Sequence, residues 1–289
     1  MTRVGFAGLG RMGALMASNL AGAGFPLALW NRSREKAEQL AGATNAVVST
    51  TPRELAERSD VVITMLADDE ASHQVHHGDD GLFAAEGGAS HLIEMGTLSP
   101  RHLQQLAADA GERVVIDAPV SGSIDAAREA QLMIMVGATD AAIEPVRPVL
   151  AVLSSRIICL GSVGAGETMK LAINMLIHGL NQTLAESLTL AEAAGIPPAD
   201  AYRAIEASAA AAPMLAYRKP NYLSERTTPV SFALSLARKD VALAMDLAAE
   251  LGVAMPQTQL NLNQLQSAEA AGFGQRDMAS IIDYLRGAT

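Results

Sequence analysis

The chain has 289 residues, of which 49% are hydrophobic and 18% are charged, and its formal net charge is −10 at pH 7. This hydrophobic content supports a packed core and excludes an intrinsically disordered chain. The acidic balance argues against nucleic acid and anionic membranes as partners. No apolar run approaches the roughly 20 residues that a membrane span needs. The N-terminus shows no targeting signal, so we expect a cytoplasmic protein.

The first half of the chain alternates short apolar runs with amphipathic stretches, which predicts repeated β–α–β units. Most runs are almost entirely apolar, as in strands that are buried on both faces of a parallel sheet. Thr51-Pro52-Arg53-Glu54 and Ser99-Pro100 are typical helix starts, in which a capping residue precedes a proline. The predicted strands are 4–7, 27–30, 61–66, 91–95, 114–116, 132–136 and 157–160.

After residue 160 the pattern becomes helical. A glycine-rich joint at 161–166 precedes one long helical pattern over 167–194, which only Gly179 interrupts, and further helical stretches follow. This predicts an α/β N-terminal Rossmann-type doubly wound domain at 1–163 and an all-α C-terminal domain at 164–289, with one long interdomain helix. Because so long an apolar helix is hard to cover in a small domain, we expect a homodimer or a dimer-based tetramer formed through the helical domain.

Cysteine and histidine positions predict no metal site. The single cysteine, Cys159, cannot form an intrachain disulfide and is expected to be a small apolar residue in a strand. His73, His76 and His77 are close in sequence, but their segment is polar and shows no partner carboxylate pattern. We expect these histidines to lie in a solvated loop.

A glycine-rich turn after the first predicted strand predicts a dinucleotide-binding site. A helix follows the turn, and a second strand ends about 20 residues further on, which is the context that such a site requires. The first glycine allows the tight turn, the second lets the backbone approach a pyrophosphate, and the third lets helix and strand pack closely. The helix N-terminus then faces the phosphates. The turn consists of Gly8, Leu9, Gly10, Arg11, Met12 and Gly13.

The end of the second predicted strand indicates which dinucleotide binds. An NAD site usually has Asp or Glu here, which binds the ribose hydroxyls. This chain has Asn31, followed by Arg32 and Ser33. A neutral residue does not repel a 2′-phosphate, and an arginine can hold it with two parallel hydrogen bonds. The sequence therefore predicts NADP(H) as the cofactor, although these residues alone leave dual use open.

Three further segments carry groups suited to a small anionic substrate. Residues 117–123 form a polar, glycine-containing loop whose N–H and hydroxyl groups can hold a carboxylate. Lys170 and Asn174 are four residues apart, which places both on one face of the long helix. Phe232 precedes Lys239-Asp240, which on its own indicates only a surface charge pair.

The motifs stand in the order and spacing of the β-hydroxyacid dehydrogenase family, which the chain resembles over essentially its whole length. That family includes 3-hydroxyisobutyrate dehydrogenases, tartronate semialdehyde reductases and glyoxylate/succinic semialdehyde reductases. Residues 30–33, and 119–123 with Gln131-Leu132, look most similar to the last group. The motifs are 8–13 with Asn19-Leu20-Ala21, then 117–123, then Gly164, Gly166, Lys170 and Asn174, and then Phe232 with Lys239-Asp240.

The resemblance implies an NADPH-dependent reductase that acts on a small aldehyde or keto acid carrying a carboxylate. Lys170 would be the general acid that protonates the carbonyl oxygen as the hydride arrives, and Asn174 would orient the lysine or the substrate. The implied substrate-binding residues are Ser121, Gly122, Ser123 and Phe232. The implied cofactor contacts, besides the glycine turn and 31–33, are Met65, Leu66, Thr97 and Lys239.

The chain departs from the family at two places. Ser123, Ala126 and Ala130 stand where most members have glycine, which reshapes the substrate pocket. His178 stands where relatives carry a small or apolar residue, and it reaches either the substrate or a subunit contact, of which we favour the contact. Glyoxylate or succinic semialdehyde is the first expected substrate, with methylmalonate or tartronate semialdehyde next.

Three alternatives share parts of the pattern. Imine reductases have the same architecture, but they typically carry Asp or Tyr in place of Lys170. A non-catalytic NADPH-binding interaction module is disfavoured, because such relatives have lost the lysine. A 6-phosphogluconate dehydrogenase needs a much larger helical domain.

Overall fold

The computed structural model describes residues 1–223 and 228–287. The chain divides into two compact units, Met1–Lys170 and Leu171–Thr289. The first six residues of the long helix thus belong to the first unit, whereas the sequence predicted a boundary after residue 163. Residues 224–227 and 288–289 of the predicted helical domain lie outside the described residues.

The first unit is built on nine short strands. They are β1 (Val4–Ala7), β2 (Leu27–Trp30), β3 (Val47–Val48), β4 (Val61–Thr64), β5 (His91–Glu94), β6 (Val114–Asp117), β7 (Val120–Ser121), β8 (Leu132–Val136) and β9 (Ser154–Cys159).

Six strands form one parallel sheet in the order β3-β2-β1-β4-β5-β6. Val4 on β1 is opposite Leu27 on one side and Val61 on the other. All four residues of β1 and of β4 are buried, which agrees with their apolar sequences. The order reverses between β1 and β4, as in doubly wound sheets, and the predicted Rossmann-type fold is confirmed.

The strands β7, β8 and β9 form a separate sheet, so the last two predicted strands do not extend the parallel one. β7 and β8 are antiparallel, and β8 and β9 are parallel. The connection between β7 and β8 holds one five-residue helix. A parallel pair needs a crossover of roughly a dozen residues or more, which this connection does not supply.

Several strand bounds differ from the predictions. β3 and β7 were not predicted, since two residues carry no readable periodicity. β4 ends at Thr64 and β5 at Glu94, earlier than expected, because the following residues turn into the loops at the sheet edge. β9 covers Ser154–Cys159, so Cys159 lies in a strand as predicted, and it is half-buried.

Fourteen α-helices accompany the strands in the described part of the chain. They are α1 (Arg11–Gly22), α2 (Arg34–Thr44), α3 (Pro52–Glu57), α4 (Asp69–His77), α5 (Pro100–Asp109), α6 (Ile124–Arg128), α7 (Asp140–Ile143), α8 (Arg147–Ala151), α9 (Ala165–Ala193), α10 (Pro198–Glu206), α11 (Pro213–Leu223), α12 (Leu234–Leu251), α13 (Pro256–Ala268) and α14 (Ile281–Gly287).

Two helix starts follow the sequence signals. Thr51 Oγ1 accepts a hydrogen bond of 3.1 Å from the backbone N–H of Glu54 at the start of α3. Ser99 Oγ accepts one of 3.1 Å from His102 N–H at the start of α5. Each hydroxyl satisfies an amide that has no partner within its helix, which confirms both predicted caps.

The second unit is helical throughout its described residues apart from loops and one isolated bridge between Ala233 and Asp277. The helix α9 runs without a break through Gly179, and the predicted long helix is confirmed. Tyr202, Tyr222 and Leu188 belong to the core of this unit. Within the described residues, no helix combines the length and hydropathy needed to cross a bilayer.

The prediction that three histidines lie in a solvated loop is wrong. All three are in α4, which begins where Asp68 accepts a hydrogen bond of 2.8 Å from Ala71 N–H. His76 is fully buried, and His77 Nε2 lies 3.0 Å from Asp109. The capping aspartate and the acidic first turn indicate a helix, and helical spacing turns His76 inward.

Candidate active site

The glycine turn after β1 leads directly into the N-terminus of α1. Gly8 has a φ of +96°, and a Cβ there would lie 2.4 Å from the carbonyl oxygen of Met65. A Cβ on Gly13 would lie 2.0 Å from the carbonyl oxygen of Gly8. The glycine at the second position, Gly10, has open space, with no described atom beyond its neighbours within 4 Å of such a Cβ. These three environments match the three roles that a dinucleotide turn requires.

The backbone amides at this turn are also arranged as a dinucleotide turn requires. Ala14 N–H donates the first intrahelical hydrogen bond of α1, 3.1 Å to Gly10 O. The amides before Ala14 therefore lie at the helix N-terminus outside the hydrogen-bond ladder. Together with the positive end of the helix dipole, they suit the phosphates of a dinucleotide.

Loops after the adjacent strands β1, β4 and β5 pack backbone against backbone. Met65 N–H donates to Ala7 O at 2.8 Å, and Met95 N–H donates to Thr64 O at 2.9 Å. A Cβ on Gly96 would lie 2.4 Å from Leu66 O, so the loops after β4 and β5 touch where only glycine fits. The predicted cofactor residues Met65, Leu66 and Thr97 are therefore on neighbouring loops at the carboxyl edge of the sheet.

The side chain of Asn31 is hydrogen-bonded to the glycine turn. Its Oδ1 accepts a hydrogen bond of 2.8 Å from Leu9 N–H, and its Nδ2 donates one of 2.9 Å to Ser33 O. Arg32 and Ser33 are exposed beside it. Arg34, in contrast, pairs with Glu38 at 2.7 Å. The predicted residues 31–33 thus lie next to the glycine turn.

The predicted substrate loop includes the strand β7 and the residues that join it to α6. Ser121 is half-buried in β7, opposite Met133 of β8. Gly122 has a φ of +152°, and a Cβ there would lie 2.8 Å from the side chain of Leu132. Ser123 Oγ accepts a hydrogen bond of 3.1 Å from Ala126 N–H at the start of α6. Its hydroxyl proton therefore points away from that bond and can be donated to an anion.

Asp117, at the end of β6, connects this loop to the start of α9. The carboxylate is fully buried, and its Oδ2 accepts a hydrogen bond of 3.1 Å from Glu167 N–H. A Cβ on Gly137 would lie 1.9 Å from its Oδ1, and one on Gly166 would lie 2.8 Å from its Oδ2. Two glycines thus make room for the carboxylate at the N-terminus of the long helix.

The charge state of Asp117 reflects two opposing effects. Burial raises the pKa of its carboxyl group, while the N–H groups of Glu167, Gly164 and Gly166 act in the opposite direction. The sequence pattern included Asp117 in the loop but did not predict that it holds the helix. A carboxylate at the end of an apolar strand was the available signal.

Lys170 and Asn174 occupy successive turns of α9. Lys170 is half-buried and is the last residue of the first unit. Asn174 is buried in the second unit, where its Nδ2 donates a hydrogen bond of 2.6 Å to Asp240 Oδ2. Lys239 Nζ lies 3.2 Å from the other oxygen of Asp240. The predicted residues Asn174 and Lys239 therefore share one buried carboxylate.

Phe232 lies against His178 in the second unit. Their ring centroids are 5.7 Å apart and the rings are nearly stacked, with an interplanar angle of 29°. His178 is only 3% exposed, so it is packed inside its own unit and not left for a subunit contact. Asp277 Oδ2 accepts a hydrogen bond of 3.2 Å from Phe232 N–H, which fixes the backbone of the aromatic residue.

Residues 3–161 match a family described as the NAD-binding domain of 6-phosphogluconate dehydrogenase. Residues 164–285 match a second family, described as the NAD-binding of NADP-dependent 3-hydroxyisobutyrate dehydrogenase. The 2-hydroxy-3-oxopropionate reductase of Escherichia coli (strain K12) is 32% identical over 98% of this chain and 97% of its own length. The chain belongs to the β-hydroxyacid dehydrogenase family.

Two other members of the β-hydroxyacid dehydrogenase family are similar over almost their whole length. Glyoxylate/succinic semialdehyde reductase 1 of Arabidopsis thaliana is 30% identical over 98% of each chain. The solved structure of Mycobacterium tuberculosis 3-hydroxyisobutyrate dehydrogenase with L-serine matches with a TM-score of 0.86, 30% identity and 99% of each chain. As a β-hydroxyacid dehydrogenase, the protein is an NAD(P)-dependent oxidoreductase that acts on CH–OH groups of hydroxyacids.

Proposed function

We propose that this protein is an NADPH-dependent reductase of a small aldehyde or keto acid that carries a carboxylate, with Lys170 as the general acid. One observation carries the proposal. Asp117 holds the N-terminus of α9 one turn before Lys170, and the loop with Ser121 and Ser123 starts from the same aspartate. Lys170 and the loop with Ser121 and Ser123 are thereby both positioned by Asp117 in the first unit.

The preference for NADPH is supported by the residues beside the glycine turn. Asn31 is neutral and already bonded to the backbone on both sides, so it brings no charge against a 2′-phosphate. The exposed guanidinium of Arg32 supplies two parallel donors that match the phosphate oxygens. The bound nicotinamide supplies the hydride.

The protein's own groups bind the substrate and move one proton. The hydroxyl of Ser123 and the backbone at Gly122 hold the carboxylate of the substrate. The Lys170 ammonium attracts the anion and stabilises the negative charge that develops on the carbonyl oxygen. It then transfers a proton from Nζ to that oxygen and is left as a neutral amine, which solvent reprotonates. The bond to Asp240 uses one N–H of Asn174 Nδ2, so the Oδ1 atom and the second N–H are the groups that orient the lysine or the substrate.

The proposed substrates follow the names of the relatives. Glyoxylate and succinic semialdehyde come first, because the Arabidopsis relative is named for both. Tartronate semialdehyde comes next, since the Escherichia coli relative is a 2-hydroxy-3-oxopropionate reductase. Methylmalonate semialdehyde stands beside it, since it is the aldehyde that corresponds to 3-hydroxyisobutyrate, for which the Mycobacterium tuberculosis relative is named. All of these are small carbonyl compounds with a carboxylate.

The alternatives differ at Lys170. An imine reductase or a non-catalytic NADPH-binding module does not need an ammonium at this position. Retention of Lys170 together with Asn174 and Ser121 favours carbonyl reduction over both.

The decisive experiment is a matrix of initial rates. Oxidation of NADPH and of NADH is measured with glyoxylate, succinic semialdehyde, tartronate semialdehyde, 3-oxo acids and a cyclic imine. We expect turnover of an aldehyde acid with NADPH. For Lys170→Ala, we expect kcat to fall at least about a hundredfold, as for loss of a general acid, with the Kd for NADPH unchanged. Turnover of the imine alone, or a Lys170→Ala enzyme with near wild-type kcat, contradicts the proposal.

A further inference from the structure

We propose that His76 and Glu94 form a buried ion pair whose function is to position the two cofactor loops, 65–68 and 95–98. The inference rests on the proposed function, because Met65, Leu66 and Thr97 of these loops are the expected contacts of the cofactor. Neither His76 nor Glu94 touches the cofactor in this scheme. They are positioning residues.

The pair is completely enclosed. Nε2 of His76 lies 3.3 Å from Oε1 of Glu94, and both side chains are 0% exposed. Glu94 Oε1 also accepts a hydrogen bond of 2.5 Å from Thr64 Oγ1, and its Oε2 accepts one of 3.1 Å from Ser72 Oγ. His76 Nδ1 lies 2.9 Å from Ser72 O. One carboxylate thus joins the ends of β4 and β5 to the helix between them.

The surroundings favour the charged form of each group. Burial disfavours the imidazolium of His76, but the attraction of Glu94 outweighs it and raises the pKa of the imidazole. Burial likewise acts to raise the pKa of Glu94, yet His76, Thr64 and Ser72 hold it below its ordinary value. A buried ion pair contributes little net stability compared with apolar residues of similar volume, since desolvation offsets the attraction. Stability alone therefore does not account for the pair.

A second set of hydrogen bonds joins the two residues that follow the loops, Asp69 and Ser99. Asp69, at the start of α4, accepts hydrogen bonds from Ser99 N–H at 2.8 Å and from Ser99 Oγ at 2.5 Å. Ser99 in turn caps α5 through His102 N–H. The ring of His102 interacts electrostatically with Asp69, with Glu94 and His76, and with the exposed His73. The loops 65–68 and 95–98 thus run between residues fixed at both ends.

The position of these loops decides the shape of the cofactor site. Gly96 packs against Leu66 O, and Gly8 of the phosphate turn packs against Met65 O, with no room for a Cβ at either contact. A shift of the loop after β4 therefore displaces both neighbours, because close-packed backbone transmits displacement. Loss of Glu94 or His76 is expected to weaken NADPH binding without removing any group that contacts NADPH.

The test compares single, conservative and paired variants. His76→Leu and Glu94→Met each leave one buried charge without its partner, whereas the double variant H76L/E94M removes both charges with little change in volume. Glu94→Gln retains the size of the side chain and an acceptor for Thr64. Asp60→Asn is the matched control, because Asp60 pairs with Arg3 at 2.6 Å in the same unit and directly precedes β4, so the whole strand separates it from the loop 65–68. The measurements are the urea midpoint, the Kd for NADPH from its fluorescence, and the KM values.

We expect both single variants to lower the urea midpoint and to weaken NADPH binding by about tenfold, which corresponds to about 1.4 kcal/mol. The double variant recovers part of the midpoint, because neither buried charge is left unpaired, but it does not recover the NADPH affinity, since the bonds to Thr64 and Ser72 stay lost. Its KM for NADPH rises while its KM for the aldehyde acid does not. Glu94→Gln lies between wild type and Glu94→Met in affinity, and Asp60→Asn binds NADPH like wild type.

Two results overturn the inference. One is a double variant that recovers both stability and NADPH affinity. The other is a folded Glu94→Gln and a folded His76→Leu that both bind NADPH with the wild-type Kd. A wild-type protein that binds neither NADPH nor NADH contradicts the proposed function instead, so the two failures are distinguishable.

Discussion

The backbone N–H of Leu9 donates a hydrogen bond of 2.8 Å to Oδ1 of Asn31, which ties the glycine turn after β1 to the end of β2. The Nδ2 atom of the Asn31 side chain donates a second hydrogen bond, of 2.9 Å, to Ser33 O. An asparagine satisfies both bonds, since it has one acceptor and two donors, whereas an aspartate satisfies only the first. Asn31 therefore combines a structural bond with the absence of a negative charge.

Asn31→Asp is expected to move the cofactor preference from NADPH towards NADH. The carboxylate keeps the bond from Leu9 but repels both Ser33 O and a 2′-phosphate. It can instead accept from ribose hydroxyls. We expect the Kd for NADPH to rise by about tenfold or more, measured by fluorescence titration of both cofactors. Asn45→Asp, an exposed site at the end of α2, controls for the added charge. An unchanged ratio of the two Kd values contradicts the interpretation.

Arg32→Ala is expected to weaken NADPH binding and to leave NADH binding almost unchanged. A charge-assisted hydrogen bond contributes about 1.5–3 kcal/mol, or roughly ten- to a hundredfold in affinity. The control is Arg156→Ala, which removes an exposed arginine from β9 and changes the net charge equally. Equal losses in the two variants would mean that only the overall charge matters. Isothermal titration at two salt concentrations separates these cases.

Asp240→Ala is expected to destabilise the second unit. Asp240 is 2% exposed and holds both Asn174 and Lys239. Its removal leaves a buried amide without an acceptor, which costs about 1–3 kcal/mol in the free energy of unfolding. Asp240→Asn retains an acceptor for Asn174, so its free energy of unfolding should fall by less than that of Asp240→Ala. Urea denaturation followed by circular dichroism measures both, and equal stability of the two variants contradicts the role of this bond.

Glu54 is expected to make stability depend on pH in acid. Hydrogen bonds from the side chain and backbone of Thr50, both 2.6 Å, lower the pKa of Glu54 to about 2. Because the folded pKa lies below the unfolded value of about 4.3, the ionised group stabilises the fold above that value. The contribution is lost as the pH falls towards about 2.

The measurement compares the Tm of wild type and of Glu54→Gln from about pH 6 to about pH 3. The advantage of the wild type should shrink as the pH falls. Glu57→Gln, an exposed site on the same helix, is the matched control. A Tm difference for Glu54→Gln that is constant across this range is the contrary result.

A homodimer or dimer-based tetramer through the helical domain stays a prediction. Leu176 is 67% exposed and Leu190 is 75% exposed on α9. Their separation is close to four helical turns, so both lie on one face of the helix. We expect the double variant L176E/L190E to reduce the mass measured by light scattering to that of a monomer. Leu251→Glu, at an equally exposed leucine that ends α12, should retain the wild-type mass. A monomeric wild type contradicts the prediction.

Much of the first unit was predictable because its signals are local. The turn of Gly8, Gly10 and Gly13, the apolar strands and the caps at Thr51 and Ser99 each depend on neighbouring residues. The long helix α9 was predictable for the same reason, since its apolar pattern continues over many turns. The two-residue strands β3 and β7 were missed, because pairing with a neighbouring strand defines them, and pairing leaves no mark in so short a segment.

In the candidate site too, local features were predictable from the sequence and contacts between distant segments were not. By itself, the sequence determined the family, the dinucleotide turn and the positions of Lys170, Asn174 and Asn31. Only the tertiary structure decided that Asp117 holds a helix 50 residues away and that Glu94 is buried against α4. Backbone conformation and periodicity follow from neighbouring residues, whereas the partner of a buried charge is set by which distant segments the fold brings together.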